Sequence, residues 1–156
     1  SGNDVWFCLQ GNNNFNAFTE ITEEVLSNAK RAMGIIDHEI RLATSVYTST
    51  SIFGANPGQL SLETEEQVPT GETATYVDFY IDDGRLYVKR EGQSPELLIS
   101  EDIRVADFTL THLIDNTSGA SEAIRIELTL TYDTPASNTN FQSAVRLFTT
   151  SSLRSY

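Results

Sequence analysis

Apolar and polar positions follow two different rhythms along this chain. Between Phe15 and Ala43 the apolar residues recur every three or four positions. Turned by 100° per residue, Phe15, Phe18, Ile21, Val25, Leu26, Ala29, Ala32, Met33, Ile36, Ile40 and Ala43 fall in one stripe about 140° wide. Glu20, Glu23, Ser27, Lys30, Arg31, His38 and Arg41 fill the opposite face. The spacing predicts a long amphipathic helix over 15–43, with Asn14 or Asn16 as its N-cap. Its acids come early and its bases late, the order a helix dipole favours. Gly34 weakens this helix by about 1 kcal/mol relative to Ala without ending it. Ile35 and Leu42 break the pattern, being large apolar residues on the wet side one helical repeat apart. They are either covered by a loop after Ala43 or turned toward another molecule.

Past Ala43 the period drops to two, and β-branched and aromatic residues take over. Strands are expected over 44–51, 59–63, 75–81, 85–90, 96–100, 105–114, 123–132 and 141–153. In the run from Ala123 to Tyr132, Ile124, Ile126, Leu128 and Leu130 oppose Arg125, Glu127, Thr129 and Thr131. One apolar and one wet face indicate an antiparallel sheet covered on a single side. Asp82-Asp83-Gly84 joins two alternating runs as a tight hairpin, and Asn56-Pro57-Gly58 and Asp133-Thr134-Pro135 mark other turns. The expectation is one α+β domain, a long N-terminal amphipathic helix packed on one face of an antiparallel β-sheet. Residues 1–14 form a polar leader holding one apolar run, Val5 to Leu9, and residues 44–156 form the sheet region. The leader run could dock on the body, continue a helix or remain from a truncated segment. With Ser1 in first place and no basic, long-apolar start, the chain is expected to be processed or to carry added residues, without a signal peptide.

Composition narrows the partners. The 156 residues hold 10 Lys+Arg against 22 Asp+Glu, a formal net charge of −12. That charge disfavours nucleic acid and anionic membrane surfaces. No run approaches the roughly 18 apolar residues of a membrane-spanning helix. The single cysteine, Cys8, provides neither an internal disulfide nor a Cys-rich metal site, and no basic sequence neighbour lowers its pKa.

Catalytic signatures are not found: there is no G-x-S-x-G, P-loop or G-x-G-x-x-G pattern. His38-Glu39 opens like a zinc H-E-x-x-H motif, but Leu42 stands where the second ligand belongs. His38 therefore reads as a solvated helix residue, and His112 as a residue packed and hydrogen-bonded near a strand end. The many acids read as a solvated surface. Calcium is the alternative for Asp82, Asp83 and Asp115, whose short acidic loops offer oxygen ligands without the spaced D-x-D-x-D-G pattern. No other cofactor or small-molecule substrate is expected, and no enzymatic activity. Asn116-Thr117-Ser118 is a formal glycosylation sequon, meaningful only in a eukaryotic secretory context.

Three stretches, in order, resemble a known family. Arg31-Ala32-Met33-Gly34-Ile35-Ile36-Asp37-His38-Glu39-Ile40-Arg41-Leu42-Ala43 resembles the segment closing the helix in minor pilins of the J type. Tyr80-Ile81-Asp82-Asp83-Gly84-Arg85-Leu86-Tyr87 is similar to their central hairpin. Ile124 to Leu130 followed by Phe148-Thr149-Thr150-Ser151-Ser152-Leu153-Arg154 resembles their ending. The resemblance, spanning about Phe18 to Arg154, is to type IV pilins and pseudopilins. Their Phe-Thr-Leu-Ile-Glu start and apolar half-helix do not occur within residues 1–156. The resemblance implies a bacterial envelope protein anchored in the inner membrane through such a half-helix, its globular part periplasmic, extracellular or in a surface filament. Its function would be assembly: helix-to-helix packing with other pilin or pseudopilin subunits in a pilus, DNA-uptake fibre or secretion pseudopilus. Ile35 and Leu42 would then be subunit contacts. Two other readings are a secreted β-rich binding or adhesin module and a small hydrolase using paired acids.

Overall fold

The computed structural model describes residues 6–11, 15–114, 122–132 and 143–154. Among them are one helix, α1 (Phe15–Leu42), and nine strands: β1 (Trp6–Gly11), β2 (Ala43–Val46), β3 (Leu60–Thr64), β4 (Thr75–Asp82), β5 (Arg85–Arg90), β6 (Glu96–Leu97), β7 (Ile103–Ile114), β8 (Glu122–Tyr132) and β9 (Ser143–Ser152). The helix ends where Thr44, Ser45 and Val46 begin a β-favouring run, and the chain passes from α1 into β2 with no intervening loop.

The expected long helix on a single sheet is overturned. The strands form two antiparallel sheets, one ordered β1-β9-β8-β7 and the other β2-β3-β4-β5-β6. The domain is mostly β, and α1 is one contributor to a core built largely by two inner sheet faces. Alternation reveals which face of a strand is buried but not which strands pair, so one sheet and two sheets carry the same pattern. The division falls after β6, only two residues long: the Leu98 amide still donates to the Leu86 carbonyl of β5 (2.9 Å), and the Leu98 and Ile99 side chains are buried in the core before β7 begins. Of the three fates open to the leader's apolar run, docking on the body is the one taken: Trp6 to Leu9 lie in β1, which pairs with β9 from Trp6↔Phe148 to Gly11↔Ser143.

One buried cluster unites the parts. The α1 stripe contributes Val25, Ala29, Ala32, Met33, Ile36 and Ile40. From the first sheet come Phe108, Leu110, Ile124, Ile126, Leu128, Leu130, Val145 and Leu147; from the second, Leu60, Leu62, Val77, Phe79, Leu86 and Val88. Removing a fully buried leucine such as Leu128 costs about 3 kcal/mol by lost transfer energy and cavity formation. Strand β2 stops at Val46, short of the expected Ser51. The Ser51 hydroxyl donates to the Tyr47 carbonyl (2.8 Å) and accepts from the Ser61 amide (2.9 Å), closing a turn instead of extending a strand.

The free edge of β7 is covered, which blunts a strand otherwise open to foreign pairing. The Gly54 amide donates to the Leu110 carbonyl (2.8 Å) and that of Gly58 to the Phe108 carbonyl (2.7 Å). The Asn56 side chain accepts from the Phe108 amide and donates to the Ala106 carbonyl. Gly58 is needed here, since a Cβ would stand 3.1 Å from the Ile52 carbonyl oxygen and 3.2 Å from that of Phe108. At the other end of β7, the Val105 amide donates to the Gly84 carbonyl in the β4–β5 turn (2.8 Å). Gly84 itself has φ +70°, as a tight hairpin requires.

Candidate functional site

Three surfaces carry chemistry. The first is the outward ridge of α1. Lys30, Arg31, Gly34, His38 and Arg41 are exposed, and no atom lies within 4 Å of where a Gly34 Cβ would stand. At 100° per residue, Lys30, Gly34 and Arg41 lie within about 40° of one another over about 16 Å of helix. Arg41 holds an ion pair with Asp37 one turn back (3.0 Å), and Asp37 also accepts a hydrogen bond from the buried Ser151 hydroxyl on β9. The Arg31 guanidinium turns inward to donate to the Leu98 carbonyl (3.0 Å). Among the described residues Lys30 makes no ion pair, so its charge faces outward.

The second surface is a half-open groove of about 560 Å³ where the C-terminal half of α1 meets β3, β4 and β5. His38, Glu39 and Leu42 line it from the helix, and Thr64, Tyr76, Arg90 and Glu91 from the sheet side. Its floor is pinned by Arg90, whose Nη2 stands 2.5 Å from Glu39 Oε1, with Glu96 3.9 Å from its other nitrogen. The lone arginine of the groove is thus committed to fastening the helix to β5.

The third surface is a corner of the outer face of the second sheet. Tyr47, 39% exposed, meets Tyr76 edge-on, the ring centroids 5.2 Å apart at 63°. Glu63 lies directly across the ladder from Tyr76. The Glu63 carboxylate above all, then burial, Tyr47, Glu91 and Glu72, pushes the Tyr76 phenol above its ordinary value. Glu91 accepts from the Thr75 hydroxyl and the Tyr76 amide. Among the described residues no ion pair engages Glu63, Glu72 or Glu91. The corner is therefore aromatic and uncompensated in negative charge. Further along the same face, Tyr80 and Tyr87 stack across the ladder at 5.7 Å.

The residues singled out from the sequence are scattered. Ile35 is half-buried and packs against the core cluster, and Leu42 is half-buried at the groove. His38 is exposed at that groove. His112 stacks on Phe53 (centroids 5.0 Å apart), and its Nε2 is 2.9 Å from Glu122 Oε2, the packed and hydrogen-bonded strand-end position expected of it. Cys8 lies in β1, its backbone opposite Arg146 in the register.

The calcium candidates come apart. Asp82 and Asp83 are exposed in the β4–β5 turn, where Arg104 Nη1 donates to the Asp83 carbonyl (2.6 Å) and stands 3.9 Å from its carboxylate. A guanidinium thus occupies the neighbourhood a cation would need. Asp115, like the Asn116 sequon, lies outside the described residues. No group of three or more His, Cys, Asp or Glu stands together among the described residues.

One acid pair was invisible in the sequence. Glu24 of α1 and Asp102 share a hydrogen bond, and Tyr132 on β8 hydrogen-bonds Asp102 as well. Burial first, then the bond to Asp102 and its charge, raises the Glu24 carboxyl above its ordinary value. Neither acid lines the groove. Residues 78 positions apart in the chain are joined only by the fold, so no local motif could have announced them.

Among the described residues, no helix is long and apolar enough to cross a membrane. Set against protein-family models, curated proteins and solved structures, the chain matches none.

Proposed function

We propose that this chain is a structural subunit of an envelope-associated filament of the type IV pilus or secretion pseudopilus kind, working by packing against other subunits and not by catalysis. One observation carries the reading. A 28-residue helix buries one stripe in the core and leaves its opposite ridge open from Glu23 to Arg41. Such a ridge, rigid and fastened from behind, offers a neighbouring subunit a straight surface about 27 Å long. The ordered motifs around Arg31–Ala43, Tyr80–Tyr87 and Phe148–Arg154 support the same reading. Anchoring in the inner membrane, with this domain outside the cytoplasm, belongs to the proposal.

The test is to read the natural gene upstream of the codon for Asp4 and to label the source cells with an antiserum against this chain. A short basic leader, a Gly or Ala, and about 20 apolar residues carrying one Glu are expected, with label on envelope filaments that vanishes when the gene is deleted. An ordinary cleaved signal peptide, or a natural start near residue 1 with label spread through the cytoplasm, overturns it. A secreted β-rich binding module is the second reading, favoured by the stacked Tyr80–Tyr87 pair on an outer sheet face.

A further inference from the structure

The edge of a sheet carries a row of unpaired N–H and C=O groups that another extended strand satisfies, so natural domains shield their edges. Three of the four edges here are shielded. Gly54 and Gly58 bond across the free edge of β7, β6 is only two residues long, and β2 is four residues long with a register shift between Ala43 and Ser45. The fourth is the outer edge of β1, the end strand of its sheet. β1 runs Trp6-Phe7-Cys8-Leu9-Gln10-Gly11, six residues with no charge, no proline and no register shift against β9. Among the described residues no strand pairs with that edge. We propose that β1 is a dimerisation edge, along which two copies of this chain join antiparallel, β1 to β1, in one continuous sheet centred on Cys8. The proposal goes beyond the filament reading and does not rest on it.

The occupant is a second copy because the strand matches itself. A chain of net charge −12 repels its copies wherever acids face acids, and β1 holds no ionisable group except the Cys8 thiol. Phe7 and Leu9 are the register partners of the buried Leu147 and Val145, which places them at core-face positions of the sheet. Trp6, Cys8 and Gln10 alternate onto the other face. A two-fold axis normal to the sheet carries each face into itself, and directly opposed residues share a face. The axis must therefore pass between one residue and its own copy. Centred on Cys8, it sets Phe7 against Leu9 of the second copy and Leu9 against Phe7, two aromatic–aliphatic cross-strand pairs. Centred on Leu9, it sets Phe7 against Gly11, and any other centre leaves at most half of the strand opposed.

Parallel pairing fails on the faces. It would run the core face of one copy into the wet face of the other, where Arg125, Glu127 and Arg146 stand. The antiparallel contact uses the same edge on both partners and consumes it, so association stops at two copies.

The experiment is sedimentation of the full chain over a concentration series, followed by oxidation of its one cysteine with copper phenanthroline. A monomer–dimer equilibrium without larger species is expected, and non-reducing electrophoresis should show a dimer linked through Cys8. Directly opposed residues of an antiparallel pair have Cα atoms about 4.5–5.5 Å apart, within disulfide reach. Moving the thiol, as Cys8→Ser with Gln10→Cys, should leave the dimer intact but abolish its cross-linking, because the two copies of position 10 would stand about 14 Å apart. Cys8→Asp and Cys8→Lys should each weaken the dimer at least tenfold, and an equimolar mixture should restore it as a heterodimer. A chain monomeric at every concentration overturns the proposal, as does cross-linking equal at positions 8 and 10. So does a mixture that fails to recover when both variants keep the parental circular dichroism. The cross-linking arm uses the unaltered chain and decides the matter even where a charged variant loses its fold.

Discussion

The helix is fastened to the sheets at two places by opposite means. Toward its N-terminal half, Asn28 is only 7% exposed, and its side-chain oxygen accepts from the Ser100 amide (2.8 Å) and the Ser100 hydroxyl (3.1 Å). Its amide nitrogen donates to the Glu24 carbonyl one turn back (2.9 Å). Toward the C-terminal half, the fastening is the Glu39–Arg90 ion pair, with Arg90 still 30% open to water. A neutral amide can be buried once its hydrogen bonds are complete. A charge pair loses solvation in proportion to its burial and so stays at the rim. The N-terminal fastening should therefore be the stronger and the less sensitive to salt.

Asn28→Ala tests that ranking most severely. It leaves the Ser100 amide without its acceptor and takes a partner from Arg31, whose Nη2 stands 3.3 Å from Asn28 Oδ1. A loss of about 2–3 kcal/mol is expected in urea unfolding, unchanged in 0.5 M salt. Arg90→Met should cost less, about 1–2 kcal/mol, because water reaches the arginine, 30% exposed, and partly screens the pair. Adding Glu39→Met to Arg90→Met should recover part of that loss, since the first change strands a carboxylate that is only 12% exposed. If the double variant is worse than the single, packing and not charge holds that end.

Between the two fastenings lies Gly34. Gly34→Ala should stabilise the isolated chain by about 0.8 kcal/mol, read as a higher midpoint of thermal unfolding, because the helix gains propensity and the new methyl group meets nothing. A destabilisation would mean that the helix bends at Gly34 to reach both anchors.

How far the sequence foretold this arrangement varies with the range of the interaction. The helix was legible within a residue, because burial of Val25, Ala29, Ala32, Met33, Ile36 and Ile40 on one side is a local, periodic signal. The β4–β5 hairpin was equally plain from Asp82-Asp83-Gly84 between two alternating runs. The division into two sheets was not, because strand pairing depends on contacts between residues tens of positions apart. The two fastenings were hidden for the same reason. Asn28 and Ser100 are separated by 72 positions, and Glu39 and Arg90 by 51. The tyrosine corner could have been suspected from the alternation Tyr76, Asp78, Tyr80, which sets aromatic residues on the wet face, but Tyr47 joins it only through the turn closed by Ser51.

The smallest expected effect concerns the pair beside the N-terminal fastening, and it is read in pH. Glu24 titrates above its ordinary value in the folded chain, chiefly because it is partly withdrawn from water and then because Asp102 faces it. A group whose folded pKa is raised holds its proton more tightly in the native state than in the unfolded one. Its contribution is complete below the ordinary value of 4.5 and is lost as pH rises through the raised value. Glu24→Gln keeps a hydrogen-bond donor toward Asp102 at every pH and removes the titration. The variant should therefore match the parent at pH 4 and exceed it at pH 7 by a small margin, flattening the melting-temperature profile between them. Asn28→Ala, by contrast, should lower that profile evenly, because no charge enters or leaves the amide fastening. Were Glu24→Gln to lower the profile evenly too, the carboxyl would be acting as an acceptor held in the ionised form. The N-terminal half of α1 would then be fastened by charge, as the C-terminal half is.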